Sequence, residues 1–279
     1  MESREHSIAA GGGSRVSIRR HPVLLWAFAL LLAAGFASLG YWQLERRAEK
    51  AAMLDAAAAA LAERRPQPPS VLNDRARRHA YDWLTLRGHF ADAPAVLLDN
   101  QRRDAQVGVR VYRLFEIAAD VDSTDVAGRA APAGILVELG WLPLPADRRM
   151  PRVPRPRGEF ALQGLALPPP GSGLAMAPPA ADDSGDLLAT TLDPEALAGA
   201  LGVDSLPPRV LRPVTAQGFG EDAPPYVRDF EILPNTLPPE RHLGYAVQWF
   251  ALSATVLVVA LVLTLRMRHR RTRPSETSA

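Results

Sequence analysis

Residues 23–40 read VLLWAFALLLAAGFASLG, and residues 245–265 read YAVQWFALSATVLVVALVLTL. Neither run contains a charged side chain. Each approaches the ~20 residues that a helix needs to cross a hydrocarbon layer of ~30 Å. Both runs are therefore predicted to be transmembrane helices, over residues 23–43 and 242–265.

The first run has two alternative interpretations. Arginines precede it and residues 35–37 form a small-x-small site, which is also the pattern of a cleaved secretory signal. Retention is favoured because the run continues to Leu39 and because Tyr41 and Trp42 then suit an interfacial anchor. The Ser- and Arg-containing N-terminus also resembles a mitochondrial transit peptide, although two early glutamates are atypical of one.

Orientation follows from the second run. Five arginines lie within residues 266–273, whereas Arg228 and Arg241 precede the run. Because basic flanks stay on the cytoplasmic side, both termini, residues 1–22 and 266–279, are predicted to be cytoplasmic. Residues 44–241 then form an extracytoplasmic domain, periplasmic in a bacterium, and the chain is a multi-pass protein of the inner membrane.

Composition excludes several classes of site. The chain has no cysteine, which removes disulfides and thiolate ligands. Its formal charge is +2 and its pI is near 9.3, and the basic C-terminal tail is interpreted as a topology signal that contacts lipid headgroups. No stretch interleaves basic and aromatic residues, so no nucleic-acid partner is expected.

The middle of the chain predicts a β-rich domain. Helical patterns cover residues 45–65 and 193–202, the second with Asp193 as a cap and Gly202 at its exit. Pro-rich tracts around residues 167–179 and 206–213 suggest extended surface connections. Strand patterns cover residues 83–88, 96–98, 107–112, 135–139, 160–164 and 209–211. The predicted fold class is α+β, with two transmembrane helices flanking an extracytoplasmic, mainly antiparallel sheet or small barrel with short helices.

The head of the second run carries the main candidate for chemistry. At helical spacing His242, Tyr245, Ala246 and Trp249 share one face. One interpretation is an ordinary aromatic belt at the membrane interface, with His242 facing headgroups. The alternative is a haem site in which the His242 imidazole is the axial metal ligand and Tyr245 and Trp249 are ring walls. Spacing alone leaves both open.

Two crossings place the end of the first run at the level of His242. Tyr41 and Trp42 are then expected to form a facing wall, and Arg46 or Arg47 is expected to meet haem propionates. The predicted cofactor-binding residues are His242, Tyr245, Trp249, Trp42 and Arg46. No catalytic residue is predicted, because the chain lacks a nucleophile elbow, a phosphate-binding loop and a paired-His zinc motif, and Asp182, Asp183 and Asp186 suit a solvated turn.

Two segments at opposite ends resemble the SURF1 family of cytochrome c oxidase assembly factors. Residues 39–50, LGYWQLERRAEK, resemble the LGxWQLxRxxWK signature, with Glu49 in place of the tryptophan, and residues 242–250, HLGYAVQWF, resemble HLxYAxQWF. Residues 86–90 are similar to the family's strand ending in G-x-F. Residues 137–143, VELGWLP, resemble VNRGWVP, with Glu138 and Leu139 in place of Asn and Arg.

The resemblance implies an assembly factor that binds haem a transiently and assists its insertion into the catalytic subunit of the oxidase, and not an enzyme. The family's haem-binding histidine corresponds to His242. Expected partners are that subunit, the haem a synthesis machinery and membrane lipid. The alternative is a cofactor-free scaffold that docks on oxidase subunits.

Overall fold

The computed structural model describes residues 22–118, 131–170, 178–214, 219–220, 223–229, 232 and 237–271. The helices are α1 (Pro22–Glu63), α2 (Pro194–Leu201) and α3 (Pro239–Arg271). The strands are β1 (Pro66–Gln67), β2 (Asp82–Phe90), β3 (Val96–Arg103), β4 (Gln106–Ile117), β5 (Gly134–Pro143), β6 (Glu159–Leu167), β7 (Ala180–Ala181), β8 (Leu187–Ala189) and β9 (Val210–Pro213). Short 3-10 turns cover Pro69–Asn73 and Arg75–Arg77.

The chain divides into two compact units. The helix unit comprises Met1–Arg46 and Glu240–Ala279, and the β unit comprises Arg47–Pro239. Within the described residues, two helices are long and apolar enough to cross a membrane, over Val23–Glu63 and Pro239–His269. The helix predicted after the first run is the continuation of α1, which the alanine-rich sequence carries as far as Glu63.

Five strands of the β unit close into a ring. The nine strands described form one sheet in the order β1-β2-β6-β9-β5-β4-β3-β8-β7, and β2 also pairs with β4. The ring therefore runs β2-β6-β9-β5-β4 and back to β2. Its pairings are antiparallel apart from β5 with β9, so a mixed α+β fold with a mainly antiparallel sheet is confirmed.

Gly88 permits the ring to close. The closing register pairs Gly88 with Ile117 and Phe90 with Phe115. A Cβ atom at position 88 would collide with the carbonyl oxygen of Glu116. The β2 and β4 backbones can approach this closely only because residue 88 has no side chain.

Two apolar clusters lie on the two faces of the sheet. The first cluster takes buried residues from all five ring strands, which places it inside the ring; it includes Leu84, Val111, Val137, Leu162 and Leu211. The second cluster packs the other face against α2 and the β-unit part of α1. Its members include Tyr112, Leu165, Leu197, Leu201 and Ala57.

The predicted helix over residues 193–202 is confirmed. Asp193 accepts from the backbone N–H groups of Glu195 and Ala196, and Gly202 ends the helix in the left-handed region at φ 71°. Of the two predictions for residues 206–213, the strand over residues 209–211 is confirmed, and the surface connection is wrong for the second half of the stretch. Residues 210–213 are β9, which is buried between β5 and β6, so the apolar Val210 and Leu211 outweigh the flanking prolines.

Candidate functional site

Small residues allow α1 and α3 to pack closely within the helix unit. Ala29 and Ala33 of α1 are buried, as are Ala246 and Ala260 of α3. Close approach of helix backbones through small side chains is the usual packing mode of helices in membranes. Trp26 Nε1 donates to Thr264 Oγ1 at 2.9 Å, and Ser253 Oγ donates to the carbonyl of Ala33 at 2.9 Å. The two helices therefore run antiparallel.

The same packing brings the end of the first apolar run to the head of the second, as two crossings predict. His242 Nδ1 lies 2.7 Å from Gln43 Oε1, across 199 residues of sequence. Phe36 and Trp249 stack with ring centroids 5.8 Å apart and an interplanar angle of 22°. The side chains of His242, Gln43 and Trp249 are half-buried. His242 thus sits on the contact face of the helix pair and keeps part of its ring exposed.

The other predicted site residues lie outside this contact face. Trp42 is 49% exposed and Tyr245 is 41% exposed, and Tyr41 is also exposed. Arg46 is exposed near the end of the α1 segment that belongs to the helix unit. The structure therefore brings His242 and Trp249 to the interface between the helices and leaves Trp42, Tyr245 and Arg46 on its outer surface.

Gln43 and Phe36 are site residues that the sequence patterns did not single out. Residues 29, 33, 36, 40 and 43 repeat at alternating intervals of four and three, as do residues 242, 246, 249 and 253. This spacing is the seam of a helix pair. In α1 it runs through a segment that is apolar on every side, so only the small residues and Gln43 mark the seam.

The residues at His242 fit a haem. An amide oxygen can only accept a hydrogen bond, so in a neutral ring the contact with Gln43 requires the proton on Nδ1 and the lone pair on Nε2. A neutral imidazole nitrogen with its second nitrogen hydrogen-bonded is the usual form of a metal-ligating histidine. Among the described residues no group of three or more His, Asp or Glu side chains could hold a metal. One imidazole in this form is the kind of ligand that a protein supplies to a haem iron.

The β unit contains a small cleft of about 280 Å³. It is lined by polar and apolar side chains that include Glu63, Gln67, Tyr81, Asp82 and Trp83. Pockets that hold small molecules have volumes of about 300–1,000 Å³. The cleft therefore lies at the lower limit of such pockets.

Residues 137–143 of β5, the segment that departs from the family signature at Glu138 and Leu139, contribute Glu138 to a buried ion cluster. Glu138 accepts from Arg110 Nη1 at 2.7 Å, from Arg212 Nη2 at 2.9 Å and from the Tyr112 hydroxyl at 3.2 Å. All four side chains are at least 96% buried. Leu139, the next residue, belongs to the apolar cluster inside the ring. Glu138 thus joins β5 to β4 and β9 through charge, while Leu139 contributes to the core.

Electrostatics keep Glu138 ionised. Burial acts to raise the pKa of its carboxyl, but Arg212 and Arg110 act against burial and the net pKa is lowered. Burial, followed by the charge of Glu138, raises the pKa of Tyr112, so its phenol stays neutral and donates. A second cluster is similar: burial acts to raise the pKa of Asp82, but hydrogen bonds from Arg77 and Arg209 lower it overall. Both clusters tie distant segments of the β unit together.

The acidic turn is partly buried. Asp182 accepts from the backbone of Ser184 and Asp186, as expected of a turn. Asp186, however, is 8% exposed, and its Oδ1 accepts from the Ala95 N–H at 2.8 Å. The prediction of a solvated turn is therefore wrong for Asp186, which fastens the turn to the start of β3.

No curated protein matches the chain. A sequence model of the SURF1 family matches residues 30–254, a range that includes both signature segments, the Gln43–His242 contact and the whole of the β unit. The chain therefore belongs to the SURF1 family, a family linked to the assembly of cytochrome c oxidase.

Proposed function

We propose that this protein assists cytochrome c oxidase assembly by holding haem a transiently at His242 and passing it to the catalytic subunit of the oxidase. The observation that carries the proposal is the 2.7 Å contact between His242 Nδ1 and Gln43 Oε1. In a neutral ring, this contact leaves the lone pair of Nε2, on a half-buried ring, as the one that can ligate a metal. When bound, haem a supplies the redox-active iron centre that the oxidase uses.

A carrier must bind its cargo without enclosing it. His242 offers one imidazole ligand, and the exposed rings of Trp42 and Tyr245 offer flat apolar surface on the outside of the helix pair. Arg46 offers an exposed guanidinium for a propionate. One ligand with open walls supports release better than a closed pocket with two ligands would.

Both apolar helices are embedded in the membrane in the proposed arrangement. The two apolar helices cross the inner membrane with both termini cytoplasmic, since arginines are concentrated after the second apolar run. The β unit then lies on the periplasmic side. The partners are the catalytic subunit of the oxidase, which receives haem a, and the haem a synthesis machinery, which supplies it.

The test compares haem content in detergent-purified protein from cells that make haem a. His242→Ala is expected to lose most of the haem absorption per protein molecule. His269→Ala is the matched control, because it makes the same change at an exposed position on the same helix. The control should retain the haem content of the unaltered protein.

Two outcomes would overturn the proposal. Equal haem content in unaltered protein and His242→Ala would remove His242 as the ligand. Haem-free protein that co-purifies with oxidase subunits, together with normal oxidase assembly in the His242→Ala strain, would support the cofactor-free scaffold instead.

A further inference from the structure

We propose that Gln43 is the positioning residue for His242: its side-chain carbonyl accepts the Nδ1–H and thereby presents Nε2 as the ligand atom. This inference rests on the proposed role of His242 and adds a second residue, from the other helix, to the site. Gln43 is not a ligand itself. It acts on the tautomer and the orientation of the imidazole.

The tautomer follows from the donor and acceptor inventory. A neutral imidazole carries one N–H and one lone pair, and an amide oxygen has no hydrogen to give. With Gln43 Oε1 at 2.7 Å, Nδ1 must be the donor. Nε2 then carries the lone pair, and this lone pair points away from Gln43 Oε1. Without this partner, the neutral ring is free to exchange between the two tautomers.

Orientation follows from helix packing. Gln43 and His242 are 199 residues apart, so their contact depends on the registration of α1 against α3. The Phe36–Trp249 stack fixes that registration two turns along α1. Because Gln43 Oε1 belongs to a helix that packs against α3, the His242 ring is held in one orientation before any ligand binds.

The effect on ligand strength has a known size in other metal sites. A hydrogen bond to the non-ligating nitrogen raises the basicity of the imidazole, and loss of such a partner typically costs about 10–100-fold in metal affinity. Gln43→Leu is therefore expected to weaken haem binding by about 10–100-fold. Gln43→Glu keeps an acceptor at the same place and is expected to restore most of the affinity.

The direct test reads the tautomer in haem-free protein. Histidine-selective ¹⁵N NMR of the full-length, detergent-solubilised chain is recorded at a pH at which the ring is neutral, and His242→Ala assigns the signal. The unaltered protein and Gln43→Glu should show a protonated Nδ1. Gln43→Leu should show a mixture or the opposite tautomer. Gln248→Leu, the same change at an exposed position of α3, should leave the signal unchanged.

Haem titration of the same five proteins completes the experiment. If His242→Ala binds haem normally, the proposed function fails whatever the tautomer is. If His242→Ala loses haem while Gln43→Leu keeps both the protonated Nδ1 and unaltered affinity, only the role of Gln43 fails. Far-ultraviolet circular dichroism identifies a Gln43→Leu protein that has lost its helices. In that case the Gln43→Glu protein decides whether Gln43 positions His242. If this protein does not retain the protonated Nδ1 and the haem affinity, the proposal is overturned.

Discussion

The ring of Phe250 packs directly on Gly40. A Cβ atom at position 40 would lie 2.8 Å from Cε1 and 2.9 Å from Cζ of Phe250. Real Cβ atoms essentially never approach other atoms this closely, so any side chain at position 40 would push the ring or the helix away. Gly40 is one turn before Gln43 in α1, so a displacement of α1 at this point would also disturb the contact between Gln43 and His242.

Gly40→Ala should separate α1 from α3. The chain has no native cysteine, so a cysteine pair can report the spacing. Ala33→Cys with Ser253→Cys is a suitable pair, because the Ser253 hydroxyl already reaches the Ala33 carbonyl. Disulfide formation in this pair should fall several-fold when Gly40→Ala is added.

Gly35→Ala is the matched control for that measurement. Gly35 lies in the same helix and an added Cβ there meets nothing within 4 Å. Cross-linking in its presence should equal that of the parent pair. Equal cross-linking with Gly40→Ala would show that the contact with Phe250 does not set the helix spacing.

Glu138→Gln should destabilise the β unit. The change leaves Arg110 and Arg212 buried without their shared carboxylate, and loss of one partner of a buried ion pair costs about 3–5 kcal/mol. Urea unfolding followed by tryptophan fluorescence measures the loss. Glu116→Gln, which changes the exposed contact with His89, should change the free energy of unfolding by no more than about 0.5 kcal/mol. Similar losses in the two variants would contradict the importance of the buried cluster.

Stability should fall on acidification. The pKa values of Glu138 and Asp82 are lowered in the folded protein, so the unfolded chain binds more protons as the pH drops. Their contribution is complete above the unfolded pKa values of about 4 and is lost as the pH falls through the lower folded values. Melting curves of the β unit between pH 7 and 3 should show this loss. The Glu138→Gln protein should lose less stability over the same range, and an equal loss would contradict the assignment.

Gly88→Ala should impair closure of the ring. The new Cβ would strike the carbonyl oxygen of Glu116, where β2 meets β4. The expected result is a lower melting temperature and weaker hydrogen-exchange protection in both strands. Gly199→Ala is the comparison, since a Cβ there meets nothing within 4 Å inside α2. It should stabilise by up to about 1 kcal/mol through helix propensity. Unchanged stability in Gly88→Ala would contradict the proposed cause of closure.

Local patterns were sufficient for the long helices and the longer strands, but not for the short strands β1, β7 and β8. Short apolar runs of strand character marked β2, β4, β5 and β6, and Asp193 with Gly202 marked both ends of α2. These signals lie within a few residues of the structure that they specify. The pairing of β2 with β4 that closes the ring was not predictable in the same way. Gly88 and Glu116 are far apart in sequence, and the G-x-F pattern in β2 does not indicate which strand pairs with it.

The candidate site was predictable in part for a similar reason. His242 is marked by its position at the head of an apolar run, and the requirement of two crossings brought residues 40–43 to its level. Which residue faces it depends on helix rotation. Gln43 faces His242, whereas Trp42, one residue earlier and therefore about 100° around the helix, is exposed. In the sequence, Glu138 was visible only as a departure from the family pattern. Its partners Arg110 and Arg212 are 28 and 74 residues away, so no local pattern indicates the ion cluster.

Free imidazole can replace a histidine ligand that has been removed by mutation, and this replacement tests whether His242 ligates haem. His242→Gly removes the imidazole and leaves space for a free one, so the purified variant should show little haem absorption. Addition of free imidazole should then restore a haem spectrum close to that of the unaltered protein. A His242→Gly protein that retains its full haem content without imidazole would contradict ligation by His242.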